Sequence, residues 1–282
     1  MSTRAILGLL VTVAICGTAM ADDKYTFREN LHVGQKVSFA IAYDCKVKSN
    51  STLSGNQTVT DSDSGQSWKV TLTVQDVKDG SDVRAQAYVD PESFDTAKDA
   101  GQETKTPCAF AGKTITLVRH PNETLTNDFQ GTAGTEDVNM LNNFITPDAD
   151  LYPDKPVAIG EVWDDSAKVA RHTPLGPKDQ LLSECRLDWV KTIDGKQMAQ
   201  VSNSVAIVFH EDGNVEEDLV YSTTNLIDLA AGMIVKCDEK GTSKYKTPPS
   251  QAWQVTGGTE FTFHDEYVPD AEKDSAKPKS AG

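Results

Sequence analysis

Between Val37 and Lys48 the chain alternates without a break, with Val37, Phe39, Ile41, Tyr43, Cys45 and Val47 on one side and Ser38, Ala40, Ala42, Asp44, Lys46 and Lys48 on the other. A helix, with about 3.6 residues per turn, would scatter those apolar groups around its circumference, whereas a pleated strand turns successive side chains to opposite faces. The run therefore specifies a long strand with one buried face, and the rest of the chain has to supply both its neighbours and its cover.

The following segment, Ser49 to Ser67, is rich in Ser, Asn, Thr, Asp and Gly and reads as a broad turn or frayed hairpin. Trp68, Val70, Leu72 and Val74 form a second alternating strand, and Val83, Ala85, Ala87 and Val89 return after Asp79-Gly80. An Asp-Gly pair supplies the positive φ that a tight hairpin demands. Pro91 to Pro107 is polar and reads as irregular; Ile115 and Leu117 mark a fourth strand after Ala111-Gly112. Thr135-Glu136-Asp137 opens a short helix with Val138, Leu141, Phe144 and Ile145 on one side and Pro147 as its stop.

Beyond Tyr152-Pro153-Asp154-Lys155-Pro156 the plan recurs. Gly160-Glu161-Val162-Trp163 answers Gly34-Gln35-Lys36-Val37, Asp194-Gly195 answers Asp79-Gly80, and Ala231-Gly232 answers Ala111-Gly112. Leu187, Trp189, Val201, Val205, Ile207 and Phe209 belong to strands around the Asp194-Gly195 turn, with Asn203 interrupting the apolar side. Trp253 to Val255, then Phe261 and Phe263, give the last strands. The expected fold is mainly β: a strongly twisted antiparallel sheet or half-barrel built from two similar halves, with a short connecting helix. The expected division is a leader over 1–21, a first β-rich half over 22–146, a second over 147–268, and a disordered tail over 269–282.

The leader is read from Arg4, the apolar run Ala5 to Ala14 and the small-residue site Ala19-Met20-Ala21. Lipidation of Cys16 is the competing reading, and the bulky Ile15 before it argues against that. The chain is thus expected to be secreted or periplasmic after cleavage at Ala21, with no membrane-spanning segment in what remains. Its formal charge of −15 becomes −16 on loss of Arg4. Such an acidic surface without a basic cluster disfavours nucleic acid and anionic headgroups as partners.

Cys45, Cys108, Cys185 and Cys237 remain in the mature chain. An even number in an oxidising compartment reads as two staples, expected as Cys45 with Cys108 and Cys185 with Cys237, one per half. No Cys-x-x-Cys pair or histidine at metal spacing accompanies them.

The run Ala-Gly-Lys-Thr-Ile-Thr-Leu at 111–117, the short helix, and Tyr-Pro-Asp-Lys-Pro-Val-Ala-Ile-Gly-Glu-Val-Trp at 152–163 together resemble an uncharacterised family of secreted bacterial β-rich proteins. The pattern is also similar to envelope half-barrels that carry lipids or lipoproteins. The family implies no catalytic residue for any position here.

Direct search finds no nucleophile elbow, zinc-protease helix or phosphate loop. His32, His120, His172, His210 and His264 are scattered, and Asp61-Ser62-Asp63-Ser64-Gly65 departs from a calcium loop at its glycine and at Leu72. Glu211 with Asp212, and Asp164 with Asp165, are adjacent carboxylates that a strand would turn to opposite faces. No catalytic residue, cofactor or metal is assigned. Two readings remain, beside a secreted hydrolase as a third. In one, the face bearing Phe39, Ile41, Tyr43, Val70, Leu72, Ile207 and Phe209 is packed solid, and the chain is an envelope or surface-associated structural protein, with another envelope protein as its partner. In the other, that face curls around a lipid or other apolar small molecule with the helix as a lid. A filled core is the ordinary fate of an apolar face and favours the first; a cavity beside those residues favours the second.

Overall fold

A computed structural model describes residues 23–267, apart from 54–55, 100–101, 123, 146–150, 174, 212–214 and 248–252. The expected leader and tail lie outside the described residues. In chain order the elements are β1 (Lys36–Leu53), β2 (Asn56–Lys78), β3 (Ser81–Val89), β4 (Phe94–Asp99), β5 (Gln102–Pro107), β6 (Thr114–Arg119), β7 (Leu125–Asn127) and α1 (Thr135–Asn143). They continue with β8 (Val162–Asp164), α2 (Ser166–His172), β9 (Gln180–Ile193), β10 (Lys196–Glu211), β11 (Val215–Asp228), β12 (Met233–Lys246) and β13 (Trp253–Tyr267).

All 13 strands form one antiparallel sheet that does not close, and strands make up 65% of the structure. The path runs β7-β6-β3-β2-β1-β13-β12-β11-β10-β9-β8, with the hairpin of β4 and β5 joined to the outer part of β2. Strands before α1 thus lie on one side of the β1–β13 pair and strands after it on the other. Both ends of the path are three-residue strands, β7 and β8. Short edges leave few unpaired backbone groups to template association.

The alternation in β1 is expressed as expected. From Ile41 to Asn50 every odd-numbered residue is buried or half-buried and every even-numbered residue is exposed. In the polar stretch after it, Ser49 to Ser67, the expected broad turn or frayed hairpin is a hairpin without fraying: β1 continues to Leu53 and pairs residue for residue with β2 from Asn56. Ser and Thr tolerate a solvated strand when both backbone edges are taken, and here β13 pairs β1 on its other side as far as Leu53. Pro91 to Pro107 is likewise ordered, as the β4–β5 hairpin. The exposed side chains of β5 gave no period-two apolar signal to read.

The matched turns share their backbone geometry. Gly34 and Gly160 have φ of 86° and 85°, Gly80 and Gly195 of 92° and 79°, and Gly112 and Gly232 of 73° and 60°. Asp79 and Asp194 are also left-handed, at 56° and 49°, as a two-residue hairpin turn of the Asp-Gly type requires.

Helix α1 occupies the segment expected for it. Asp137 accepts a hydrogen bond from the Gly134 N–H at 3.3 Å, satisfying one donor at the helix start, and Leu141 and Ile145 are fully buried. Helix α2 was not foreseen from sequence. Its signal is Asp164-Asp165 before Ser-Ala-Lys-Val-Ala, and Asp164 Oδ1 accepts from the Ser166 N–H at 2.8 Å.

Residues before β1 run as a strap. Tyr25 exchanges two backbone hydrogen bonds with Val157, Asn30 N–H donates to the Ala231 carbonyl at 3.1 Å, and Leu31 N–H donates to that of Gly80 at 2.9 Å. One segment therefore ties a turn of the first half to a turn of the second.

Candidate functional site

Two packed cores flank an unfilled middle. In the first, Trp68, Val70, Leu72, Ala85, Ala87, Ile115 and Leu117 of β2, β3 and β6 are covered by Phe110, Leu141 and Ile145. In the second, Leu187, Ala199, Val201 and Ile227 of β9 to β11 are covered by Phe27, Tyr152 and Val157. Between them lie β1, β13 and β12, and none of the described side chains of β13 is fully buried.

The middle is hollow. A cavity of about 540 Å³ lies between Ile41, Tyr43, Gln66, Phe261 and Phe263 on the sheet and Asn139, Met140 and Phe144 of the α1 region. A second, of about 470 Å³, extends beneath Leu151 and the α2 residues Lys168 and Val169, over Asn203, Val205, Tyr221, Thr223 and Asn225. The two share Asn143, Phe144, Glu239, Phe263 and Asp265, so they are lobes of one space. Each falls within the roughly 300–1,000 Å³ of small-molecule sites.

Of the seven residues expected on an apolar ligand face, Phe39, Ile41 and Tyr43 border this space. Val70 and Leu72 belong to the first packed core, as does Ile41. Ile207 is buried and Phe209 half-buried, and neither lines either lobe. The larger part of the lining is not legible as a site: alternation marks Phe261 and Phe263 only as strand residues, Asn203 as an interruption and Thr223 as the end of a short strand from Leu219, and nothing marks Asn225 or Glu239. The available signal was a polar residue at an inward register position, as in Tyr221, Thr223, Asn225 and Ile227 of β11.

Antiparallel register brings those polar groups together. Cys185, Asn203, Thr223, Glu239, Phe263 and Tyr43 follow one another as Cα partners across six strands. Asn225, Cys237, Asp265 and Ile41 form the next row. Glu239 lines both lobes, and its removal from bulk water pushes its carboxyl up to about 7. Burial, with the nearby Glu239 charge, raises the Tyr221 hydroxyl above its ordinary range.

A buried polar cluster braces the second lobe from behind. Asn203 Nδ2 donates to Asp165 Oδ2 at 2.9 Å and the Cys185 thiol donates to the same oxygen at 3.2 Å. The pair Asp164 and Asp165 divides accordingly: Asp164 is exposed and Asp165 is buried. The side chains of Glu211 and Asp212 lie outside the described residues.

No disulfide joins the four cysteines in this structure, which departs from the two expected staples. Cys185 on β9 and Cys237 on β12 are separated by β10 and β11, three inter-strand steps of about 4.8 Å each, beyond the reach of a disulfide on a sheet that does not fold back on itself. Cys108 is buried in the first core, whereas Cys45 is half-buried on β1. Among the described residues no group of His, Cys, Asp and Glu could hold a metal ion. His120 contacts Thr126, His210 lies by Asp179, and His264 lies by Asp238 and Glu266. Asp61 to Gly65 lie extended within β2 and do not wrap as a loop.

No family model matches this chain, and no curated protein matches it in sequence. Among solved structures it is similar to lipovitellin, solved to describe its lipid–protein interactions, at 8% identity and a TM-score of 0.46, over 84% of this chain and 25% of that one. The chain thus spans about a quarter of the lipovitellin chain that it matches. An outer membrane channel from Pseudomonas putida matches at 8% identity and a TM-score of 0.23, over 89% of this chain and 100% of the other. A DUF1329 family protein from Desulfovibrio piger matches at 10% identity and a TM-score of 0.12, over 84% and 89%. Likeness at this level assigns neither family nor activity. No helix among the described residues is long and apolar enough to cross a membrane.

Proposed function

We propose that this chain is a non-enzymatic carrier or binding protein of the bacterial envelope, secreted or periplasmic, that holds a lipid-like ligand in the hollow between the sheet and its two helices. The observation that carries this reading is the pair of adjoining cavities over the inner face of β1, β13 and β12, bordered by Phe39, Ile41, Phe261 and Phe263, which also pack on the first core, Phe144 or Tyr221. The alternative, a structural module acting through its acidic exterior, needs that face filled. Apolar side chains left beside a void lose both dispersion contacts and hydrophobic stabilisation, and an apolar ligand restores both. Helix α1 and the start of α2 border the hollow opposite the hydrogen-bonded sheet.

The test is native mass spectrometry of the purified mature chain for co-purifying lipid, together with titration of the neutral fluorophore N-phenyl-1-naphthylamine. Binding is expected in the wild type and lost in Met140→Trp, which puts a large ring into the roof of the first lobe. Neither co-purifying lipid nor fluorophore binding by a folded wild type would overturn the reading.

A further inference from the structure

The two lobes of the hollow differ in one respect. Both mix apolar and polar side chains and share Glu239 and Asp265, but Asn203, Thr223 and Asn225 of β10 and β11 line the second lobe alone. Asn225 is 1% exposed, and neither its amide nitrogen nor its carbonyl oxygen has a protein partner. Asn203 is 3% exposed; its Nδ2 is engaged by Asp165 and Ser183, while its Oδ1 has no partner. Buried amides in folded proteins are almost always hydrogen-bonded, because leaving them bare forfeits their hydration without return. Both residues line the second lobe, so the contents of that lobe are what can complete them.

The charge around this end decides what those contents are. Glu239 and Asp265 contribute carboxyls, and Lys168, the one cation among the described residues of the lining, donates to the Tyr152 carbonyl and pairs with Asp154 at 2.9 Å. The end is therefore rich in acceptors and poor in available positive charge. An anionic headgroup would stand against the Glu239 carboxyl, and like charges held together in a partly desolvated site repel. A hydroxyl or amide can donate to Asn203 Oδ1, Asn225 Oδ1 or the Glu239 carboxyl while accepting from Asn225 Nδ2, and an ammonium can donate to all three acceptors.

Building on the carrier reading above, we infer that the ligand is an amphiphile whose polar end is an uncharged or cationic hydrogen-bond donor. Asn203 and Asn225 read that end beneath α2, and the apolar chain lies beneath α1. Free fatty acids and acidic phospholipids are selected against by Glu239.

The test displaces N-phenyl-1-naphthylamine from the mature chain at pH 8 with decanol, decylamine and decanoate, which share a chain and differ in their end. Decanol and decylamine are expected to compete at least about tenfold more strongly than decanoate. Asn225→Leu is expected to bind the fluorophore yet lose the preference for decanol, and Glu239→Gln to lessen the discrimination against decanoate. Decanoate competing as well as decanol, or a preference unchanged in Asn225→Leu, refutes the headgroup inference and leaves the carrier reading standing. A wild type that binds neither fluorophore nor amphiphile defeats the carrier reading itself. Circular dichroism and a cooperative melt establish that each variant is folded.

Discussion

Asn203 in β10 donates through Nδ2 to Asp165 Oδ2 at 2.9 Å, and Asp165 is the residue from which α2 starts. Both are buried, and the Asn203 amide also reaches Ser183 Oγ at 3.3 Å. The contact anchors the roof of the second lobe to the floor. Asp165→Ala leaves a buried amide without its acceptor and is expected to cost about 1–3 kcal/mol. Urea denaturation should show a lower midpoint; an unchanged midpoint would remove this contact from the list of stabilising ones.

Gly232 and Gly195 form a contrasting pair. Both have positive φ, but a Cβ on Gly232 would overlap the Arg28 carbonyl of the strap, whereas one on Gly195 meets nothing within 4 Å. Gly195→Ala carries backbone strain alone, about 1 kcal/mol. Gly232→Ala adds a backbone clash and is expected to cost about 3 kcal/mol or more. Melting curves of the two single variants give the comparison, and equal losses would mean that the strap yields freely.

Glu239 makes stability depend on pH. Its carboxyl is raised from 4.5 to about 7 by removal from water, so between those values the folded chain holds a proton that the unfolded chain has lost. Stability from this group is fully present below about 4.5, falls as pH rises toward 7, and is flat above that. Melting temperatures of wild type and Glu239→Gln should coincide at the acid end of this window and separate, with the variant higher, by pH 8. Parallel profiles would show that the carboxyl is hydrated in the folded state.

Asp228 acts in the opposite sense. It is buried and accepts from the Lys196 ammonium at 2.9 Å and from the Ala230 and Ala231 N–H groups at 3.0 and 3.2 Å. Burial opposes its charge, but these donors more than offset that and hold the carboxyl below its ordinary value of 3.8. Its contribution is present above 3.8 and is lost as pH falls through the lower, folded value. Asp228→Ala should destabilise by about 1–3 kcal/mol at neutral pH, with a loss that shrinks on acidification.

The thiols should differ in reactivity. Cys45 and Cys237 are half-buried, whereas Cys108 and Cys185 are buried. Burial raises both buried thiols, with the Asp165 carboxylate adding to the effect at Cys185, so their thiolate fraction is small. Iodoacetamide on the native chain at pH 8 is expected to modify Cys45 and Cys237 first, and Cys108 and Cys185 only on unfolding. A chain carrying Cys45–Cys108 and Cys185–Cys237 bonds would take up no label before reduction.

What the sequence by itself determined is local. Alternation from Val37 to Val47 dictates an extended strand with a chosen inner face, Asp79-Gly80 and Asp194-Gly195 dictate tight turns, and Val138, Leu141, Phe144 and Ile145 dictate a helix with one apolar side. Each of these follows from backbone sterics and side-chain period within a few residues. Tertiary structure alone decided that β1 pairs with β13, that β4 folds back onto β2, and that Ser49 to Ser67 stays in the sheet. It also decided that Val70 and Leu72 are enclosed in a core, whereas Phe39 and Phe263 pack against that core and also border a cavity. Cross-strand register is the reason: Asn203, Thr223 and Glu239 lie apart along the chain and become neighbours through pairings that no local pattern encodes. A polar residue at an inward position reads in sequence as a flaw in one strand; three such strands side by side make it a polar row in the wall of a cavity.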